Sequence, residues 1–373
     1  MKIALCTDGV FPFAFGGMQR HSRKLAEHLC LQQDVELIVL HPHDRTVFDP
    51  SLAIREIPIP PIDERSLYLQ ELWRYSSRID AALRELRPDV IISQGFSVWA
   101  GIENWRDRLI VHPHGLEMFQ TITLKEFLVT LPFRYVLRRI MRQSAVVISL
   151  GGKLTNIIEE QVKGSAVRIE ILPNAVDPPE SLVAYPVNKP IELLFVGRFA
   201  FNKGIDLLVE AARHFDRKRS DVRFILAGDG PLMAGFKEQG LPSNMELLGK
   251  VGDDVLRELY GRCHALVLPT RFEGMPTVVL EAMANARPVI VSDVGATAEL
   301  VKGSNGLLIE KGKASSLIAA IEEFIGLSVE ERSQMGRNGS RKVQERYTWP
   351  VVARRSADLA RELMERYRLK QQR

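Results

Sequence analysis

The sequence predicts an α/β protein made of two doubly wound domains. Three observations carry that expectation. Short β-branched runs alternate with longer helical stretches from end to end. The runs are apolar on both faces, as strands of a parallel sheet covered by helices must be. They also fall into two series of about six, parted by a proline-rich stretch. Periodicity alone leaves an eight-fold barrel open, but two series with a break between them favour two open sheets.

In chain order, the first series reads Ile3–Thr7, Val35–Leu40, Val90–Ser93, Ile110–His112, Val146–Ser149 and Val167–Leu172. The break follows as Pro173-Asn174-Ala175-Val176-Asp177-Pro178-Pro179, then Pro186 and Pro190, and predicts a hinge near residues 173–190. The second series reads Ile191–Val196, Arg223–Ala227, Met245–Leu248, Ala265–Leu268, Val289–Ser292 and Gly306–Ile309. Trp349-Pro350 opens a last helix, proline being suited to a first turn. Its Val352, Leu359, Leu363 and Tyr367 keep to one face.

Composition bounds the function. Of 373 residues 46% are hydrophobic and 26% charged, with 26 glycines and 20 prolines, which excludes disordered, collagen-like and disulfide-stapled classes. The net charge of +4 divides into −1 for residues 1–185 and +5 for 186–373. That surplus is too small for a nucleic-acid footprint and suits a half that handles a compact anion. Three scattered cysteines, Cys6, Cys30 and Cys263, form neither a zinc motif nor a disulfide framework, and the reducing cytosol is expected. Asp8 and Pro12 interrupt the N-terminus before a signal-peptide core. No run approaches the roughly 18 apolar residues of a membrane span, so a cytoplasmic or surface-associated protein is expected.

Chemistry-bearing residues gather in loops that follow strands. Gly16-Gly17 stand between the first strand and a helix, where backbone amides approach an anion at the positive helix end; a bare turn is the alternative. The missing Gly-x-Gly-x-x-Gly spacing disfavours a dinucleotide. Arg198 and Lys203 follow the first strand of the second series, as a planar fork and a point charge suited to phosphate oxygens. The segment lacks the Gly-x4-Gly-Lys-Ser/Thr of a nucleotide-hydrolysing loop. The stretch from Pro269 to Ala284 is the most informative. Gly274 and Pro276 feed a helix with Pro276 as its first position. That helix is apolar on nearly every side, and Glu281 within it must reach a partner or a ligand hydroxyl. Glu273 lies at the helix mouth, and two carboxylates converging on a polyhydroxylated ligand are favoured over two structural ion pairs.

Other features carry blander expectations. Gly228-Asp229-Gly230-Pro231 reads as a turn near the site. His112 and His114 alternate along a strand with no third ligand nearby, so His114 is read as a structural or substrate-contacting residue and no metal is expected. His41 and His43 read as a solvated loop feature. Residues 124–142 set Arg134, Arg138 and Arg142 on one helix face with Leu137, Ile140 and Met141 opposite. That pattern suits either contact with an anionic membrane or a solvated face on a packed helix.

Together, Gly197-Arg198 with Lys203-Gly204, Gly228-Asp229-Gly230-Pro231, Leu268-Pro269 and the stretch from Glu273 to Pro288-Val289-Ile290 resemble the retaining glycosyltransferases of family 4. The resemblance spans nearly the whole chain, and Glu273 and Glu281, with seven residues between them, are its most specific element. It implies the GT-B architecture: two Rossmann-like domains facing across a cleft, with the last helix crossing back to the first. The implied domains are 1–176 completed by 350–373 for the acceptor, and 177–349 for the nucleotide-sugar donor.

The resemblance also implies roles. Arg198 and Lys203 would grip the donor diphosphate, with Gly16 and Gly17 approaching it. Glu281 would hold the ribose, and Glu273 the donor sugar beside the amides of Gly274, Met275, Pro276 and Thr277 (Pro276 itself has no N–H). His114 would contact the sugar near the reacting carbon, and the base would lie near Lys250-Val251. The catalytic set is then His114, Glu273, Arg198 and Lys203. Ala175, Ala286 and Ala296 stand where the family commonly has glycine, which puts the shape of those loops at issue. The implied reaction moves a sugar from a UDP- or GDP-linked donor to a glycan, lipid or small-molecule acceptor, with retention and without metal or cofactor. Cell-surface glycan or glycolipid synthesis, on the inner face of the plasma membrane if the basic helix touches lipid, is the expected setting. A nucleotide-sugar epimerase of the same architecture and a non-catalytic sugar-nucleotide binding subunit are the competing readings.

Overall fold

The computed structural model describes residues 1–14, 16–63, 67–120 and 123–372. The chain divides into two compact units, Met1–Asn174 with Trp349–Arg373, and Ala175–Thr348.

In the first unit seven parallel strands alternate with helices. The order along the chain is β1 (Lys2–Cys6), α1 (Gly17–Leu29), β2 (Glu36–His41), β3 (Ile54–Pro58), α2 (Tyr68–Leu86), β4 (Val90–Gln94), β5 (Leu109–His112), α3 (Leu124–Arg142), β6 (Val146–Ser149), α4 (Lys153–Val162) and β7 (Arg168–Ile171). The sheet order is β3-β2-β1-β4-β5-β6-β7, so the direction of winding reverses between β1 and β4. The central strands are apolar on both faces because helices cover both; β4 is buried at every position. The edge strands carry charge instead. β3, Ile-Arg-Glu-Ile-Pro, is only half-buried and is a strand that the apolar-run reading passes over.

The second unit holds six parallel strands: β8 (Ile191–Val196), α5 (Ile205–Lys218), β9 (Val222–Ala227), α6 (Met233–Gln239), β10 (Met245–Gly249), α7 (Asp253–Arg262), β11 (Ala265–Leu268), α8 (Thr277–Ala284), β12 (Val289–Ser292), α9 (Thr297–Leu300), β13 (Gly306–Ile309), α10 (Ala314–Gly326) and α11 (Val329–Arg346). Its order, β10-β9-β8-β11-β12-β13, reverses between β8 and β11. Open sheets of this kind bind ligands at such a reversal, beyond the carboxyl ends of the strands.

The last helix, α12 (Trp349–Gln371), packs on α1 in the first unit. Val352, Leu359 and Leu363 are buried as their spacing predicts, along with Ala353, Ala357 and Ala360, whose small side chains allow close approach. Arg361 pairs with Asp34 at 2.6 Å and Glu362 with Arg168 at 2.7 Å.

Three sequence expectations are corrected here. Pro276 caps α8 rather than opening it: its ψ of 118° is extended, and Thr277 is the first helical residue. His41 and His43 are not a solvated pair. His41 is buried and donates to Glu56 at 2.8 Å, while His43 Nε2 accepts from the Val10 amide at 2.9 Å. The row of arginines on α3 is engaged by the protein itself. Arg138 donates to Gln161 at 2.6 Å, Arg142 to the Lys163 carbonyl at 3.0 Å, and Arg134 lies 4.4 Å over the Phe127 ring. The C-terminal half of α3 buries Val136, Leu137, Ile140 and Met141, while its N-terminal half leaves Leu124, Leu128, Val129 and Leu131 exposed.

Of the three alanines at common glycine positions, only Ala286 adopts the left-handed region, with φ 55°. A Cβ there costs about 1–2 kcal/mol. The residue sits between α8 and β12, its carbonyl against Gly336 of α11, so the turn keeps its shape despite the strain. Ala286→Gly should therefore stabilise the second unit by about 0.5–1 kcal/mol after the added chain entropy of glycine is counted. An unchanged or lower urea midpoint would show that the turn carries no such strain.

Candidate functional site

In the second unit, the loops after β8 and β11 meet at the reversal of strand order. The loop after β8 runs Gly197 to Gly204 and ends in a single 3-10 turn, Phe201–Lys203. Gly204 closes that turn at φ 71°, and a Cβ on it would fall 2.0 Å from the Pro269 carbonyl oxygen. Glycine is thus required for the two loops to touch. Hydrogen bonds to one backbone oxygen then join them: the Arg271 amide donates to Asn202 O at 2.7 Å, and Thr270 Oγ1 donates to the same oxygen at 2.8 Å. Arg271 adds a two-armed pair to Asp206 at 2.8 and 2.6 Å and covers the Phe201 ring at 3.9 Å.

This scaffold brings Lys203 and Glu273 together. The Lys203 ammonium donates to Glu273 Oε1, both groups being largely buried. Arg198 stands exposed nearby in sequence and makes no side-chain hydrogen bond or ion pair among the described residues. Gly228 and Gly230, after β9, let their backbone press against Gly197 and Phe199; the Phe199 amide donates to Asp229 O at 2.8 Å. The Gly228–Pro231 turn therefore supports the cation loop from behind.

Gly274, Met275 and Pro276 are buried between Glu273 and the start of α8. The Ala296 amide donates to Gly274 O at 2.9 Å and holds the turn. Pro276 offers α8 no side-chain cap, and unsatisfied first-turn amides favour an anion or a hydroxyl oxygen. Glu281 is half-buried on α8, not enclosed on every side. Tyr260 of α7 donates to its Oε2 at 2.8 Å. Burial and the adjoining carboxylate push the Tyr260 phenol well above its ordinary range, so it acts as a donor at any accessible pH. Arg287, fully buried, donates to the backbone oxygens of Tyr260 and Gly261 at 2.7 and 2.6 Å and fixes the end of α7. Tyr260 and Arg287 have no signal in the sequence, because their contacts with Glu281 and α7 are tertiary. Val251 lies in the loop after β10, at the sheet edge.

In the first unit, Gly16 precedes α1 and Gly17 is its first residue; Phe15 lies outside the described residues. His114 follows β5 with φ 61° and meets Gln94 Oε1 through Nε2 at 2.5 Å. Its ring stacks on His112, and His21 of α1 meets both. Burial holds His21 down to about 4, and burial with neighbouring imidazoles holds His112 and His114 well below the usual range. Asp8 lies just beyond β1, and nothing in the sequence marks it as buried. Burial pushes its carboxyl up to about 6, against a weaker hydrogen bond from Gln19 at 3.4 Å.

Asp8 generates a pH prediction. Its folded pKa exceeds the unfolded value, so the native state binds the extra proton and loses stability as pH rises from about 4 to 6. Asp8→Asn should stabilise the first unit by about 2–3 kcal/mol at pH 7.5 and leave it unchanged near pH 4. Paired urea titrations at the two pH values decide it: equal shifts at both would show that ionisation is not the cause.

The comparisons cover most of the chain. Residues 15–180 match the family described as Glycosyltransferase Family 4, and residues 190–326 match Glycosyl transferases group 1. An uncharacterized glycosyltransferase of Methanocaldococcus jannaschii is 32% identical over 220 residues, covering 58% of this chain and 59% of the relative. The chain spans about half the length of the curated relatives it matches. Among solved structures, sucrose-phosphate synthase from Thermosynechococcus elongatus superposes with TM-score 0.79 at 20% identity, over 98% of this chain and 99% of that one. Anabaena HepE, solved in complex with UDP and glucose, gives TM-score 0.67 at 16% identity, over 97% and 100%.

Proposed function

We propose, for a chain that belongs to the group 1, family 4 glycosyltransferases, that it moves a sugar from a nucleoside-diphosphate sugar to an acceptor hydroxyl with retention and without a divalent metal. The observation that carries this reading is the Lys203–Glu273 pair beside the start of α8. As the bond between the anomeric carbon and phosphate breaks, negative charge gathers on the phosphate oxygens. Arg198, Lys203 and the first amides of α8 neutralise it. The acceptor oxygen bonds to the anomeric carbon on the face the phosphate leaves, and its proton passes to a phosphate oxygen.

Glu273 pairs with Lys203. A diphosphate entering the site takes over the ammonium, and Glu273 is released toward the sugar hydroxyls. Glu281, steadied by Tyr260, binds the ribose, and Val251 borders the base. The UDP in the Anabaena protein supports a UDP-linked donor, with GDP as the alternative. In the first unit, His114 contacts the sugar, Gly16 and Gly17 offer amides to the diphosphate, and the remaining loops bind a glycan, lipid or small-molecule acceptor.

The test is turnover of UDP- and GDP-sugars in EDTA, with Arg198→Ala, Glu273→Gln and Glu281→Gln measured beside the parent. Activity should survive the chelator. Arg198→Ala should lose one charge-assisted contact of roughly 1.5–3 kcal/mol, about 10- to 150-fold in kcat/KM. Glu281→Gln should weaken free nucleoside diphosphate and intact donor alike. Glu273→Gln should lower kcat by about 100-fold, since its contact strengthens as the sugar gains positive charge, and should keep or tighten nucleoside diphosphate binding because Lys203 loses its competitor. Weaker diphosphate binding by Glu273→Gln would reverse the assignment of roles.

The same reading places the protein in the cytoplasm, working on cell-surface glycan or glycolipid at the inner face of the plasma membrane. No helix among the described residues is long and apolar enough to cross a membrane. Contact with an anionic bilayer would use the exposed apolar half of α3, with Lys125 and Arg139 beside the headgroups, since Arg134, Arg138 and Arg142 are engaged elsewhere. Leu128→Asn with Val129→Asn should reduce binding to phosphatidylglycerol vesicles at least tenfold, and Arg139→Gln should flatten the salt dependence. Unchanged partitioning of both variants would remove the membrane from the proposal.

A further inference from the structure

Three imidazoles meet beyond the carboxyl ends of β4 and β5. The His112 and His114 rings stack with centroids 3.9 Å apart and planes 21° from parallel. His21 stands edge-on to both, at 4.8 and 5.3 Å, and Trp349 of α12 covers His21 at 5.3 Å. His21 and His112 are buried, whereas His114 is half-buried. Neither nitrogen of His112 has a hydrogen-bond partner, nor does Nδ1 of His21. Buried nitrogens without partners destabilise a fold, and an apolar ring would avoid that cost. The backbone adds its own strain, because His114 occupies the left-handed region at φ 61°. An arrangement so unfavourable for folding points to a role outside folding.

We propose that His112 and His21 are positioning residues: they clamp the His114 ring in one orientation against Gln94, leaving its Nδ1 as an acceptor for a substrate hydroxyl. The geometry supplies the tautomer. His114 Nε2 donates to Gln94 Oε1 at 2.5 Å, so the neutral ring carries its lone pair on Nδ1. The flat face of His112 fixes the plane of the ring, and the edge of His21 blocks rotation away from it. The groups that face the cluster include Gln94 from β4, Asn174, which hydrogen-bonds the His21 side chain, His21 and, beyond Trp349, His28 from α1, and Trp349 with Ser356 from α12. Burial, and after it the neighbouring imidazoles, favour the uncharged form of His112 and His114.

The inference rests on the reading of His114 as a substrate-contacting residue, and the test separates the two. Nitrogen-15 spectra of the histidine rings report tautomer and titration without any turnover. In the parent protein His114 should show the Nε2–H tautomer alone and should stay neutral well below the ordinary histidine range. His112→Phe keeps a flat ring, with the small cavity beside His21 and His112 to receive it. It should preserve that tautomer, hold kcat within threefold and raise Tm. His112→Leu fills the space without a flat face. It should mix the tautomers and lower kcat at least tenfold, with nucleoside diphosphate affinity unchanged. His21→Leu should behave like His112→Leu, and covers the case in which the latter does not fold. A single Nε2–H tautomer with parental kcat in both leucine variants would overturn the clamp. Parental turnover in His114→Ala would instead overturn the substrate contact, while the ring spectra still judge the clamp.

Discussion

A parallel strand can join its neighbour only through a crossover, and that constraint organises both units. Every strand of each sheet points the same way, so every loop that leaves a carboxyl end emerges at one edge. Where the winding reverses, between β1 and β4 and again between β8 and β11, two adjacent loops diverge to opposite faces and leave a crevice. Arg198, Lys203 and Glu273 stand at one such reversal. Asp8, Gln94 and His114 stand near the other. The chemistry is grouped by topology before any side chain contributes.

Within that frame the second unit is stiff around its charges. Gly204 lets two loops touch, Arg271 straps them to α5 through Asp206, and the glycines after β9 brace them from below. Lys203 and Glu273 neutralise each other inside this cradle, so neither is a buried charge without a partner. Two charges can therefore sit largely buried here without destabilising the unit. The pair explains how such a cradle stays folded.

Much of the fold was legible because buried parallel strands are unbroken apolar runs; Val90–Gln94 and Ala265–Leu268 are buried throughout and stand out in the sequence. What escaped did so for physical reasons. β3 is an edge strand whose Arg55, Glu56 and Pro58 disguise it as loop. His41 reads as solvated until Glu56, from that same missed strand, arrives beside it. The charged landmarks Arg198, Lys203, Glu273 and Glu281 announce themselves by type and spacing, but their neighbours do not. Tyr260 reaches Glu281 from another helix, and His21 looks like one polar residue among several on α1 until packing turns it inward. Sequence periodicity reports what an element does with its own faces and is silent about which side chain of a distant element arrives there.

The docking of α12 on α1 has a consequence for the order of events on the ribosome. Residues 1–174 are made first, but the helix that covers α1 follows the whole of the second unit in the chain. Until Trp349 is synthesised, His21 lacks its aromatic cover, and α1 lacks the helix that packs on it. The first unit begins before the second and is completed after it. Its histidine cluster reaches final form only after 174 further residues, Ala175 to Thr348, have left the tunnel. A nascent chain interrupted before that point would lack the aromatic cover of His21, so completion of the cluster is itself a check that translation reached α12.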